Sequence, residues 1–165
     1  MKPELLSPAG SPEALRAAIA AGADAVYLGA AAFGARATAG FDDQALEDAI
    51  RFAHLYGVRV YVTVNTLIKP QEMNSLLALL ERLVALRADA LIIQDLGLAG
   101  LIKTAYPQIC VHASTQMSVH NAPGARVLQQ LGISRVVLAR ECSLDAMCEV
   151  AQTGIQTEVF VHGAM

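Results

Sequence analysis

The sequence predicts an α/β protein of the (β/α)8 TIM-barrel type, truncated to about seven strands. Three observations predict it. Short apolar runs alternate with stretches of helical period along the whole chain. The runs are continuously apolar, as strands of a parallel sheet covered on both faces must be. Polar residues also gather just past the carboxyl ends of these runs, which is where parallel α/β folds hold their ligands.

The first strand is read from Glu4 in "ELL", and Ser11-Pro12 opens a helix with proline at its first position. "AVYLG" from Ala25 is the second strand, and Asp42 suits the N-cap of the helix that follows. "VRVYVTV" from Val58 is the third. Lys69-Pro70 then starts a helix whose stripe Met73, Leu76, Leu77, Leu80, Leu83 and Val84 has i, i+3, i+4, i+7 spacing. "ALIIQ" from Ala90, "ICVHA" from Ile109 and "RVVLA" from Arg135 are the next strands, with Ser143 an N-cap before the sixth helix. "EVFVH" from Glu158 reads as a seventh, buried strand. Three strand approaches share one form: "AGADAVYLG" (21–29), "LRADALIIQ" (86–94) and, more loosely, "LGISRVVLA" (131–139). Each leaves a helix through a small residue or glycine, which is repeated βαβ grammar with right-handed connections.

An open doubly wound sheet could also hold six or seven strands. "SPAGSPEA" after the first strand has a single glycine, however, and no GxGxxG fingerprint. A barrel needs eight strands and about 250 residues. Residues 1–165 are therefore expected to be the N-terminal barrel segment of a longer protein. Strands one and seven would then carry unpaired edges, and the segment is expected to self-associate.

Hydrophobic residues make up 55% of the 165-residue chain and charged residues 16%, with a mean hydropathy of +0.43. No run approaches the roughly 18 apolar residues of a membrane span; "SLLALLERLVAL" is broken by Glu81 and Arg82. "MKPELLSPAGSPE" does not read as a signal peptide, and no membrane partner is expected. A net charge of −3 argues against an autonomous nucleic-acid-binding module but leaves open an RNA substrate held mainly by another domain. Cys110, Cys142 and Cys148 form no CxxC pair and suggest reduced thiols in a cytoplasm. Cys110 and Cys148 read as small buried hydrophobes, and Cys142 as a loop residue.

The strand ends supply the candidate site. In order they are "SPAGS" (Ser7 to Ser11), "GAAAFGAR" (Gly29 to Arg36), Asn65-Thr66, Gln94-Asp95, "HASTQ" (His112 to Gln116), "ARE" (Ala139 to Glu141) and "HGAM" (His162 to Met165). The substrate- or anion-binding candidates are Arg36, Asn65, Gln94, Asp95, Ser114, Thr115, Gln116, Arg140, Glu141 and His162. Each has a plainer reading beside it. Ser7, Asn65, Asp95 and Ser114 could cap the helices that follow them, and His112 could be a hydrogen-bonded core histidine. Arg36 and Arg140 could clamp a carboxylate or phosphate from two strand ends; otherwise Arg140 pairs with Glu141 or Asp95 and Arg36 points to solvent. No catalytic residue can be named, and no HExxH, P-loop or dense Cys/His cluster marks a metal site.

Taken together, "ELLSPAGSPEALRAAIAAGADAVYLG", "FGARATAGF", "YVTVNT", "DALIIQDLG", "HASTQ", "VVLARECSLD" and "EVFVHGAM" resemble the collagenase-like peptidase family U32. "FGAR", "IIQD", "HASTQ" and "LARE" look most like the branch that hydroxylates a cytidine of bacterial 23S ribosomal RNA. Sister branches act on tRNA uridine or the ubiquinone ring without molecular oxygen. The resemblance implies an enzyme that uses an iron–sulfur cluster and, for RNA, prephenate as hydroxyl source. In the family, a motif like "VFVHGAM" runs into the cysteines that hold the cluster, and none of Cys110, Cys142 or Cys148 lies at such a position. The expectation is thus no cofactor in this segment, which would be inactive alone, with cluster and prephenate belonging to the full-length protein. Prephenate is a dicarboxylate, so Arg36 and Arg140 become candidates to hold it, with Ser114, Thr115 and Gln116 as neutral donors. A collagenase-like peptidase and an inactive scaffold or binding module are the alternative readings.

Overall fold

The computed structural model describes residues 2–35 and 40–162. Among them lie seven strands and six α-helices in strict alternation. They are β1 (Leu6–Pro8), α1 (Pro12–Ala20), β2 (Ala25–Gly29), α2 (Asp43–Leu55), β3 (Arg59–Val64), α3 (Met73–Ala85) and β4 (Ala90–Ile93). There follow α4 (Leu96–Ala105), β5 (Cys110–Ala113), α5 (Ala122–Gln130), β6 (Arg135–Val137), α6 (Leu144–Ala151) and β7 (Gln156–Glu158). The strand order in the sheet is β1-β2-β3-β4-β5-β6-β7. A doubly wound sheet reverses its winding at a switch point; sequential order throughout is the barrel pattern. The chain divides into two compact units, Met1–Leu91 and Ile92–Met165, with the division inside β4.

In the first unit, β2 pairs in parallel with β1 (Ser7 with Val26) and with β3 (Val26 with Val60). The strand cores are buried as continuous runs: Ala25, Val26 and Leu28 on β2, and Val60, Tyr61, Val62 and Val64 on β3. Both faces are covered, so the periodicity of two is erased. Leu46, Ala49, Ile50 and Ala53 of α2 and Leu76, Leu79, Leu80 and Leu83 of α3 supply the covering stripes. Leu79 joins the buried set, while Met73, Leu77 and Val84 of the expected stripe are only half-buried. The start signals hold: Ser11 Oγ accepts from Ala14 N–H ahead of Pro12, and Asp42 Oδ1 accepts from Ala45 N–H. Pro70 opens a 3-10 turn (Pro70–Glu72) that leads into α3.

The helix-to-strand approaches carry specific bonds. Asp24 donates its backbone N–H to Leu5 O at 2.9 Å, and its side chain accepts Leu5 N–H at 2.8 Å. Asp89, before β4, repeats this on β3: its N–H donates to Val60 O at 3.0 Å, and its carboxylate accepts Val60 N–H at 2.7 Å. His54 Nε2 lies 2.9 Å from the same carboxylate. Ser7 falls inside β1 and not past its end, because the strand begins two residues later than Glu4-Leu5-Leu6 suggested.

In the second unit, Ile93 O accepts Ser114 N–H at 2.7 Å. His112 of β5 pairs with Arg135 of β6, and Val137 of β6 with Glu158 of β7. Ile93, Val111, Ala113, Val136 and Val137 are buried, as is His112 at 4% exposure, in agreement with its core reading. Two expectations are corrected. β7 ends at Glu158, so Val159, Phe160 and Val161 are not a buried strand; they are 42%, 42% and 88% exposed. β7 is the last strand in the order, and an apolar run is buried only where neighbours cover it. Cys110 and Cys148 are exposed and not buried, the first at the opening residue of β5, the second on α6, whose only buried residue is Val150. Cys142 is partly exposed. No helix among the described residues is long and apolar enough to cross a membrane.

Candidate functional site

The sequence-derived site residues separate when placed on this frame. Arg36 lies outside the described residues. In the first unit, Asn65 follows β3 and caps no helix; its Oδ1 accepts Ala35 N–H at 3.0 Å, while Thr66 Oγ1 donates to Phe33 O at 3.2 Å. This pair fastens the loop that leaves β2 to the end of β3.

In the second unit, Gln94 follows β4 and is half-buried. Asp95 is the N-cap of α4, its Oδ1 accepting Leu98 N–H at 3.0 Å, so the capping reading is correct for this residue. Ser114, 2% exposed, caps a 3-10 turn (Thr115–Met117); its hydroxyl accepts Gln116 N–H and donates to Gln116 Oε1, both at 3.3 Å. "HASTQ" is therefore a tightly closed turn at the carboxyl end of β5. Thr115 Oγ1 donates to Leu138 O at 3.5 Å, and Ala139 N–H to Val119 O at 2.8 Å, which joins the loop after β5 to the end of β6. His162 is exposed.

Thr115, Arg140 and Glu141 meet in one cleft of about 610 Å³, together with Ser118, His120, Ala139, Cys142, Ser143 and Ala146. Its lining offers hydroxyl donors, one guanidinium and one carboxylate. The Arg140 guanidinium carbon stands 4.6 Å from the centre of the Phe160 ring. Ser118 has φ 54° and ψ 37°, the left-handed region that non-glycine residues rarely adopt, and it ends the 3-10 turn.

His120 is a cleft residue that the sequence reading passed over. Its Nδ1 lies 2.8 Å from Ser118 O, an acceptor, so Nδ1 carries a proton. Asn121 caps α5 through Oδ1, which accepts Gly124 N–H at 2.9 Å, and this leaves its Nδ2 facing His120 Nε2 at 3.0 Å as donor. Three consecutive bonds thus fix the imidazole plane and its tautomer. The signal was available: the eight residues between β5 and α5 hold Ser118, His120 and Asn121 beyond the stretch that ended at Gln116.

Among the described residues, no three or more His, Cys, Asp or Glu are grouped to hold a metal ion. The cysteines stand on β5, in the loop before α6, and on α6. The cleft suits recognition of a small polar or anionic molecule by charge and hydroxyl donors.

Comparisons with known proteins agree with this architecture. The chain is 39% identical over 163 residues to the 23S rRNA 5-hydroxycytidine C2501 synthase of Escherichia coli, covering 98% of this chain and 24% of that protein. It is 38% identical to tRNA hydroxylation protein P of Haemophilus influenzae, covering 99% of this chain and 36% of the relative. A collagenase of Porphyromonas gingivalis is 30% identical, over 98% of this chain and 42% of that one. The chain thus spans about a quarter to two-fifths of the length of these relatives. A solved U32 peptidase superposes with a TM-score of 0.76 at 16% identity, covering 96% of this chain and 67% of its own, which supports the fold alone. The family profile described as peptidase family U32 matches residues 10–165, and the chain belongs to that family.

Proposed function

We propose that this chain forms the N-terminal barrel part of an RNA hydroxylase that acts on a cytidine of 23S ribosomal RNA. The observation that carries this is identity of 39% with a 23S rRNA hydroxycytidine synthase across 98% of the chain. The tRNA hydroxylation proteins match nearly as well, which makes hydroxylation of RNA the common element and the choice of RNA the finer step. An RNA substrate also agrees with a cytoplasmic protein.

In this reading the hydroxyl source is a small dicarboxylate, prephenate, held in the cleft past β5 and β6. Arg140 supplies a charged contact, and Thr115, Ser118 and Ser143 supply hydroxyl donors. Arg36, the second anchor named from the sequence, lies outside the described residues. The iron–sulfur cluster of the same reading does not fit the described residues, which bring no three suitable ligands together. Its ligands belong elsewhere in the protein, and this chain alone would be inactive.

Nucleosides released from 23S rRNA and tRNA of a strain lacking the gene test the substrate. Loss of hydroxycytidine from 23S rRNA is expected. Loss confined to tRNA would move the assignment to the tRNA branch. Unchanged RNA with cleavage of collagen peptides by the purified protein would favour a peptidase, the reading supported by the Porphyromonas relative. Titration with prephenate tests the cleft: Arg140→Gln should bind about ten-fold more weakly or worse, as loss of a charge-assisted hydrogen bond requires. Unchanged affinity would refute the anion site.

A further inference from the structure

We infer that Phe33 is a base-stacking residue of the RNA site, held in place by the end of β3; this rests on the RNA reading proposed above. Phe33 lies four residues past β2, at the end of the strand where barrels of this type hold their ligands. Its φ of 64° is in the left-handed region, which a bulky side chain rarely adopts. The neighbouring strand keeps it there. Thr66 Oγ1 donates to Phe33 O at 3.2 Å, and Asn65 Oδ1 accepts Ala35 N–H at 3.0 Å. Between these two bonds Gly34 is buried, and a Cβ on it would lie 3.3 Å from Ala30 O, so the chain is folded back against the end of β2 without slack.

Burial of the ring does not explain this backbone. Among the described residues of the loop, Ala30, Gly34 and Phe41 are buried, whereas Phe33 is half-buried and keeps part of its side chain open. Glycine would meet the same φ without strain. A strained residue fixed by its surroundings is the pattern of a site that orients a side chain toward a ligand. Aromatic rings at such sites stack on unpaired bases, and every base offers a flat face. Stacking also needs no positive charge. The chain carries a net charge of −3, so the phosphates of RNA find little general attraction here and a contact to the base itself matters more. With two bonds from the end of β3 fixing the backbone around Phe33, the residue is ordered before the base arrives, and binding loses less conformational freedom.

The test is equilibrium binding of the full-length protein to a labelled single-stranded cytidine oligonucleotide and to an abasic strand of equal length, with the unfolding midpoint of each variant recorded. The wild type should bind the cytidine strand at least about five-fold more tightly, the lower end of the range for base–aromatic stacking. Phe33→Leu should abolish most of that preference and leave the abasic strand bound as before, while Phe33→Tyr keeps it. Thr66→Val should reduce the preference. It should add nothing in the Phe33→Leu background, because Thr66 acts only through the placement of Phe33. A wild type without the preference overturns the inference whether or not Phe33→Leu folds. A preference retained in Phe33→Leu or lost in Phe33→Tyr, an equal loss on both strands, or a further effect of Thr66→Val beside Phe33→Leu overturns it also and leaves the RNA reading standing. Hydroxylated nucleosides unchanged in a strain lacking the gene would remove the RNA reading itself.

Discussion

Replacing Asp95 separates a helix cap from a binding-site charge. Its Oδ1 accepts Leu98 N–H at 3.0 Å, one of the amides that the first turn of α4 cannot satisfy internally. Asp95→Ala removes the acceptor at a half-buried position and should cost about 1 kcal/mol, within the 0.5–2 kcal/mol typical of lost caps. Asp95→Asn keeps an equivalent oxygen for the cap and gives up the attraction between a carboxylate and the helix N-terminus, worth about 0.3–1 kcal/mol. With a urea dependence of about 1–3 kcal/mol per molar, Asp95→Ala should lower the midpoint by roughly 0.3–1 M, and Asp95→Asn by less. Hydrogen exchange at Leu98 should quicken in the alanine variant and stay near wild type in the asparagine one. The reasoning fails if both variants are equally destabilised. It also fails if Asp95→Asn keeps full stability but loses prephenate binding, because the carboxylate would then serve the ligand and not the helix.

Two further predictions concern the first unit. A Cβ on Gly40 would lie 2.6 Å from Ala30 O and 2.9 Å from Ala31 Cα, both backbone atoms that cannot turn aside. Gly40→Ala should therefore disrupt the bridge between Ala30 and Phe41 and cost about 1–3 kcal/mol, as overpacking does; thermal unfolding no different from wild type would contradict this. Asp24 has its carboxyl held below the ordinary value of 3.8, first by the Leu5 N–H and then by Lys2. A depressed folded-state value gives stability that is present above 3.8 and is lost as pH falls through the folded value. The stability gap between wild type and Asp24→Asn, measured from pH 6 to pH 2, should close at the acid end. A constant gap would show that the ionised carboxylate is not what holds Leu5.

The fold was legible because burial on both faces writes itself as apolar runs, and β2 begins and ends where "AVYLG" does. The same rule misread "EVFVH". The identical pattern lies past the end of β7, exposed, because composition records what a strand can do and not whether a neighbour covers it. Much the same holds for the site. Position at a strand end was visible, and Thr115, Arg140 and Glu141 do share a cleft. A contact made across two strands was not visible. Arg140 also meets the ring of Phe160, twenty residues away and brought near through the pairing of β6 with β7. His120 lay in the same loop as the residues chosen from the sequence, but the three bonds that hold it are seen only in the structure.

The aspartates of the two "ADA" repeats make two of the βαβ units rulers. Asp24 reads the backbone of Leu5 across 19 residues, and Asp89 that of Val60 across 29. A strand that slid by one residue would lose both of its aspartate's bonds. Lengthening a helix by one residue is therefore not absorbed at the amino ends of the strands. The two aspartates thus set the register of β1 and β3 from their amino ends, apart from the carboxyl ends where polar residues gather.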